Sequence, residues 1–203
     1  MTIQDTRLLI ATTNDGKFRE LSSLLSKLPY KFYSLNDLRI GTVAAENGST
    51  LEENAKIKAE TYSKLSGMVT LADDSGLEVD VLNGEPGVLS SRYAGPDASD
   101  SQMVEFLLQK LENIPDYERG AKFRCVIAIT WPFGPTQYYK GECSGRIVKI
   151  PRGGNGFGYD PVFLVKSSDR TMAELSECEK NRVSHRALAI AEVIKVLKQK
   201  VCT

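Results

Sequence analysis

Apolar residues recur along this chain with two different periods, and the switches between them mark its elements. Arg7 to Thr12 is a short, nearly unbroken apolar run and predicts a buried strand. After the polar turn Asn14-Asp15-Gly16, the residues Phe18, Leu21, Leu25 and Leu28 recur at helical spacing up to Pro29. A strand is expected over Phe32 to Leu35. Beyond a polar loop, Thr50-Leu51-Glu52-Glu53 carries the signature of a capping box that opens a helix running to about Leu65. Val69 to Ala72 predicts a central strand that stops at Asp73-Asp74-Ser75-Gly76, and Leu77 to Leu82 resumes as strand before an Asn83-Gly84 turn. Ser101 to Leu111 has helical periodicity. Ala121 to Trp131 alternates and is rich in β-formers, and the Pro and Gly of Trp131 to Pro135 suggest a hairpin into Tyr138 onward, so this part of the sheet should be antiparallel. A glycine-rich loop at Gly153 to Gly158, a strand at Pro161 to Val165 and a helix from about Ser184 to Lys200 follow. This order predicts an α/β domain with a mixed sheet.

Composition narrows the function classes. At 203 residues and 41% hydrophobic content, without repeats or low-complexity tracts, the chain can bury the core of one domain. Lys plus Arg total 26 and Asp plus Glu total 26, so there is no basic excess to attract a nucleic-acid backbone, and no nucleic-acid partner is expected. Met1 to Arg7 lacks the apolar core of a signal peptide and no later run approaches membrane-spanning length; a cytoplasmic protein without a membrane partner is expected. The four cysteines, Cys125, Cys143, Cys178 and Cys202, are scattered and read as reduced packing residues.

Five segments are candidates for chemistry. Thr12-Thr13-Asn14-Asp15-Gly16-Lys17 joins a strand to a helix N-terminus, where backbone N–H groups, the helix dipole and the Lys17 charge suit phosphate oxygens, although alone it reads better as an ordinary turn with a surface lysine. It is not a Walker loop, since Ala11 stands where the first glycine would be and Phe18 replaces the Ser or Thr. Asp73 and Asp74 end an apolar strand as expected above; adjacent carboxylates there ask for a cation, and oxygen ligands near phosphates suit magnesium, with Asp74 as the main candidate, although a pair of turn-forming acids capping the strand is common in α/β proteins. In the helix after Thr50, Lys58 lies one turn beyond Asn54 and could reach a triphosphate, although exposed solvation is the default for such a lysine. The loop from Arg152 to Pro161 sets close glycines around Phe157 and Tyr159, which suits a flat base as well as it suits a surface loop with Phe157 in the core. The single histidine, His185, follows Ser184, a candidate N-cap, so that His185 and Arg186 project from a first turn as two donors able to meet a purine keto group. A lone histidine is nevertheless more often structural than functional, and one histidine cannot build a zinc site.

Taken together, Ala11 to Lys17, Thr50-Leu51-Glu52-Glu53-Asn54-Ala55-Lys56-Ile57-Lys58-Ala59, Ala72 to Asp80, Pro86-Gly87, Ser91-Arg92-Tyr93-Ala94-Gly95, Phe157-Gly158-Tyr159-Asp160-Pro161, Ala173-Glu174-Leu175, Glu179-Lys180-Asn181 and Ser184-His185-Arg186 resemble the inosine triphosphate pyrophosphatase family. The resemblance extends over nearly the whole chain. It implies hydrolysis of non-canonical purine nucleoside triphosphates (dITP, ITP, XTP) to the monophosphate and pyrophosphate, with Mg²⁺ as cofactor. It implies an elongated mixed sheet flanked by helices in one domain over 1–203, two lobes with a nucleotide cleft between them, and a homodimer. Carried over onto this sequence, Thr12, Thr13, Asn14, Asp15, Gly16 and Lys17 form the phosphate loop and Lys58 is a further phosphate lysine. Asp74 is metal ligand and general base. Ser75, Phe157, Gly158, Tyr159, Asp160, Lys180, His185 and Arg186 line the nucleotide site, with Phe157 stacking on the base and His185 and Arg186 favouring a 6-keto purine.

The chain departs from that family at the metal. The usual ligand falls on Ala45, and Glu46 is expected to join Asp74 in its place; the alternatives are Asp74 with phosphates and water alone, or a regulatory module that kept the pocket and lost hydrolysis. A further rival is an enzyme with the same pocket and a different preferred base.

Overall fold

The structure, a computed structural model, describes residues 6–166 and 168–201, so the expectations placed on Met1 to Asp5 and on Cys202 lie outside the described residues. Six strands form one mixed sheet in the order β2-β1-β3-β4-β5-β6. β1 (Arg7–Ile10) pairs in parallel with β2 (Lys31–Tyr33) on one side and with β3 (Val69–Val79) on the other. α1 (Asp15–Leu25) connects β1 to β2, and α2 (Leu51–Ser66) connects β2 to β3, as parallel crossovers require. β4 (Gly120–Thr130) and β5 (Thr136–Ile147) are sheet neighbours joined by residues 131–135, a link too short for anything but an antiparallel hairpin. β6 (Phe163–Val165) adds antiparallel to β5.

Several sequence expectations need correction. β3 does not stop at Asp73; it continues through both acids to Val79, because β4 lies beside it in the sheet after β1 has ended. Asp80–Leu82, expected as strand, is a 3-10 turn, closed by the Asn83 amide donating to the Asp80 carbonyl. The expected capping box at Thr50 is only half formed: the Thr50 hydroxyl accepts from the Glu53 amide, but the Glu53 carboxylate takes the Ser49 amide at 2.6 Å. Asp160–Val162 forms a 3-10 turn, so the strand expected from Pro161 begins only at Phe163. A short helix, α4 (Glu177–Val183), precedes α5 (His185–Val201) and was not anticipated, although Ser176 and Glu179 spell its capping box. α3 (Asp100–Lys110) falls where expected.

The chain forms two compact units. The first holds the chain through Asp74, Cys125–Gly141 and the chain from Arg186. Its core is built by the alternate residues Leu8 and Ile10 of β1, Val69 and Leu71 of β3, and Cys125, Ile127 and Ile129 of β4, under Leu21 and Leu25 of α1 and Ile190, Val193 and Leu197 of α5. The second holds Ser75–Arg124 and Glu142–His185, and packs Leu77, Val79, Phe123, Ile147 and Phe163 against Val104 and Leu107 of α3. Among the described residues no helix is long and apolar enough to cross a membrane.

Candidate active site

β1 ends at Ile10, where its pairing with β3 ends too: the Ala11 amide donates to the Leu71 carbonyl and the chain then leaves the sheet. The C-terminal edge of a parallel pair, with a helix starting beside it, is where α/β sheets bind anionic ligands. Here Asn14 is the N-cap of α1, its Oδ1 accepting from the Lys17 amide at 2.9 Å, while the Thr12 hydroxyl accepts from the Asn14 amide at 3.1 Å. The amides of Thr13, Asp15 and Gly16 have no partner among the described residues, so three N–H groups of the turn are available to phosphate oxygens.

Since β3 runs on through Asp73 and Asp74, the two-residue period of a strand sends their side chains to opposite faces. The neighbours therefore do not share a cation, contrary to the reading of adjacent acids at a strand end. Asp73, 1% exposed, faces the α1 and α5 side, where it is saturated: Lys17 Nζ pairs with Oδ1, Arg186 Nε donates to Oδ2 at 2.9 Å, and the Cys125 thiol donates to Oδ2 at 3.1 Å. Burial pushes this carboxyl up, but Arg186 and then Lys17 outweigh it and hold it well below the usual carboxylate range. Arg186, itself 2% exposed, also donates to Glu20 of α1.

Asp74 faces α2. Its Oδ1 accepts from Lys58 Nζ at 2.8 Å, and the same ammonium donates to Glu46 Oε2 at 2.8 Å. Oδ2 makes no hydrogen bond among the described residues. Burial, working against the Lys58 and Lys17 charges, raises the Asp74 pKa. Burial lowers that of Lys58, but the two carboxylates more than offset it and keep the ammonium charged. Consecutive carboxylates thus have environments that drive their pKa values apart, the pattern that separates an inert counter-ion from an acid-base group. Among the described residues no cluster of three or more metal-binding side chains exists; the hard oxygen donors here are Asp74 and Glu46.

In the second unit the glycine-rich loop is pinned by carboxylates. Asp160, 3% exposed, accepts from the Phe157 amide at 3.0 Å and from Lys180 Nζ, and that ammonium lies 5.3 Å from the centre of the half-buried Phe157 ring. Gly156 has φ of +77°, and a Cβ there would run into Asp160 and Lys180, so only glycine fits. The Gly158 amide donates to Asp100 Oδ2 at 2.6 Å, and the buried Tyr159 hydroxyl donates to the Ser90 carbonyl at 2.9 Å. His185, 4% exposed, stacks on Phe123 with ring centres 4.7 Å apart. Ser75 is half-buried on β3.

The structure therefore brings Lys17, Lys58, Asp73, Asp74, Glu46 and Arg186 together in the first unit, and Phe157, Gly158, Tyr159, Asp160, Lys180 and His185 in the second. Sequence reasoning missed Glu20, Cys125, Asp100 and Phe123. Glu20 had a signal, lying three residues after Lys17 on one helix face; the other three act across long sequence separations that no local pattern records.

The Ham1 family pattern matches residues 8–196 of this chain. The chain is 50% identical to a dITP/XTP pyrophosphatase of Bacillus licheniformis, covering 95% of this chain and 98% of that one, and 44% identical to the dITP/XTP pyrophosphatase of Bacillus subtilis, covering 93% and 96%. Among solved structures it resembles the Staphylococcus aureus Ham1 protein (TM-score 0.84, 42% identity, 96% and 99% covered) and a HAM1 protein from Coxiella burnetii (TM-score 0.86, 42% identity, 95% and 98% covered).

Proposed function

This chain belongs to the Ham1 family, and from that premise we propose that it hydrolyses non-canonical purine nucleoside triphosphates (dITP, ITP, XTP) to the monophosphate and pyrophosphate. The observation that carries the reading is the contrast between neighbours: Asp73 is a buried anion with its charge matched on both oxygens, whereas Asp74 keeps one oxygen open and an upward-shifted pKa beside Lys58.

The α1 turn supplies the Thr13, Asp15 and Gly16 amides and a dipole end for the triphosphate. Lys17, held by Asp73, and Lys58, held by Asp74 and Glu46, bring two ammonium groups to the charge that develops on the leaving pyrophosphate. Asp74 Oδ2 accepts a hydrogen bond from a water and takes its proton as the oxygen attacks the α-phosphorus; the bond from that phosphorus to the bridging oxygen breaks, and pyrophosphate leaves. Phe157 stacks on the base, with Lys180, Asp160, Gly158 and Tyr159 fixing its loop; His185 offers a donor to a 6-keto oxygen; Ser75 lines the nucleotide. Arg186, engaged with Asp73 and Glu20, contributes by keeping Asp73 ionised.

The donor set fits Mg²⁺: Asp74 and Glu46 would hold it, two carboxylates being enough for an ion that keeps several waters and takes phosphate oxygens. Bound there, the ion would neutralise triphosphate charge. The reading places the protein in the cytoplasm, as one domain acting on the free nucleotide pool and assembling as a homodimer, with neither nucleic acid nor membrane as partner.

The test is pyrophosphate release from dITP, XTP, dGTP and ATP, each with and without magnesium, for the native protein and Asp74→Asn. Magnesium-dependent release favouring dITP or XTP, abolished in Asp74→Asn while nucleotide binding survives, is expected. Near-native turnover by Asp74→Asn would remove the assigned base.

A further inference from the structure

The segment that carries Glu46 has no regular secondary structure over residues 41–48. A loop of that kind must find partners for its backbone elsewhere, and it finds them on α2. The Ala44 amide donates to the Tyr62 hydroxyl at 3.1 Å, the Gly48 amide to Asn54 Oδ1 at 2.8 Å, and the Ser49 amide to Glu53 Oε2 at 2.6 Å. Between the first two anchors the Asn47 amide closes a tight turn on the Ala45 carbonyl at 2.9 Å. Asn54, Lys58 and Tyr62 recur every four residues and form one buried stripe, 1%, 7% and 2% exposed. Lys58, the middle member, holds the Glu46 carboxylate; Asn54 and Tyr62, one turn to either side, hold the backbone on either side of Glu46. The seat is close-fitting, since a Cβ added to Gly48 would lie 2.6 Å from Glu53 Cβ and 2.7 Å from Asn54 Oδ1. Within it Ala45 is exposed and Glu46 is half-buried against Lys58.

We infer that Asn54 and Tyr62 are positioning residues that seat Glu46, rather than residue 45, beside Asp74, and that they thereby set the protein's affinity for a divalent cation. The inference deepens the proposed function, on which it rests for the identity of the ion, and it concerns how the loop is held rather than the hydrolysis itself. Removing either anchor frees the loop to move, so a carboxylate that was pre-organised must be ordered at each binding event.

The experiment uses Mn²⁺ as the probe, titrated into the full chain and followed by the electron paramagnetic resonance of free ion, with and without an α,β-imido analogue of dITP. In parallel, the Mg²⁺ concentration for half-maximal pyrophosphate release and the nucleotide KM at saturating Mg²⁺ are measured. Glu46→Gln is expected to weaken Mn²⁺ binding and to raise the half-maximal Mg²⁺ concentration about tenfold. Asn54→Ala and Tyr62→Phe are expected to reproduce about a fivefold share of that, the scale of one lost hydrogen bond, with KM nearly unchanged. Asn54→Asp keeps an oxygen for the Gly48 amide and should restore most of the affinity. Added to Glu46→Gln, neither loop substitution should weaken binding further. Native-like Mn²⁺ affinity in Tyr62→Phe and Asn54→Ala, or full additivity with Glu46→Gln, overturns the inference. Should Asn54→Ala fail to fold, Tyr62→Phe, which deletes one oxygen, decides. Absence of pyrophosphate release from native protein would instead remove the proposed function, while the Mn²⁺ titrations would still report on the loop.

Discussion

Replacing Asp73 and Asp74 one at a time by asparagine should separate stability from activity at adjacent positions. Asp73→Asn removes the charge that matches the buried Arg186 guanidinium and Lys17. Breaking a buried ion pair from one side leaves an uncompensated charge and costs about 3 kcal/mol, softened here because Arg186 retains Glu20. For a chain of this size each kcal/mol moves the melting temperature by roughly 2–4 °C, so a fall of about 6–12 °C is expected. Asp74 behaves in the opposite way. Burial disfavours its ionised form, so a neutral isostere relieves a cost, and Lys58 still has Glu46; Asp74→Asn should melt within about 3 °C of native protein while losing turnover.

The pH dependence carries the sign. The folded pKa of Asp73 lies well below the ordinary 3.8, so its contribution is complete above that value and is lost as pH falls through the folded value. The melting difference between native protein and Asp73→Asn should therefore stay constant from neutral pH down to about 5 and close only in stronger acid. Asp74 has a raised folded pKa, so its ionisation destabilises as pH climbs from 3.8 through that value, and any gain from Asp74→Asn appears on the neutral side. Differential scanning calorimetry on the three proteins from pH 3 to 8, beside a pyrophosphate assay, makes the comparison. Equal melting of Asp73→Asn and native protein at pH 7, or a larger loss in Asp74→Asn than in Asp73→Asn, would refute the division of labour.

Three further outcomes follow from the same geometry. Phe157→Ala should raise KM for dITP by about fivefold or more, base stacking on an aromatic ring amounting to about 1–3 kcal/mol, with kcat changed far less; steady-state kinetics checks this. Gly156→Ala forces a side chain into Asp160 and Lys180 at positive φ, and is expected to lower the melting temperature and to weaken nucleotide affinity, read by calorimetry and as a rise in KM. In metal-free protein the Asp74 carboxyl should titrate above 3.8, followed by NMR, and a midpoint at or below that value would remove the burial effect assigned to it.

Local pattern alone determined much of this protein. The strand, turn and helix from Arg7 to Leu25, the helix opened by Thr50 and the hairpin around residues 131–135 follow from apolar period, capping residues and turn chemistry, which act within a few residues and need no partner from afar. Residue types suited to phosphate, metal and base chemistry stand out in the sequence, because hard oxygens, ammonium groups and glycine-flanked aromatics carry that chemistry wherever they stand. Tertiary structure decided which of them meet. Asp73 and Asp74 look alike in sequence, and Asp-Asp-Ser-Gly looks like a strand end; the neighbouring strand β4 keeps β3 extended, extension turns successive side chains to opposite faces, and one acid meets Arg186 and Lys17 while the other meets Lys58. Ala45 and Glu46 were ambiguous for the same reason. Side-chain anchors on α2, up to eighteen residues away in the chain, settle which of the two lies against Lys58, and pairing over such separations leaves no trace in a local pattern.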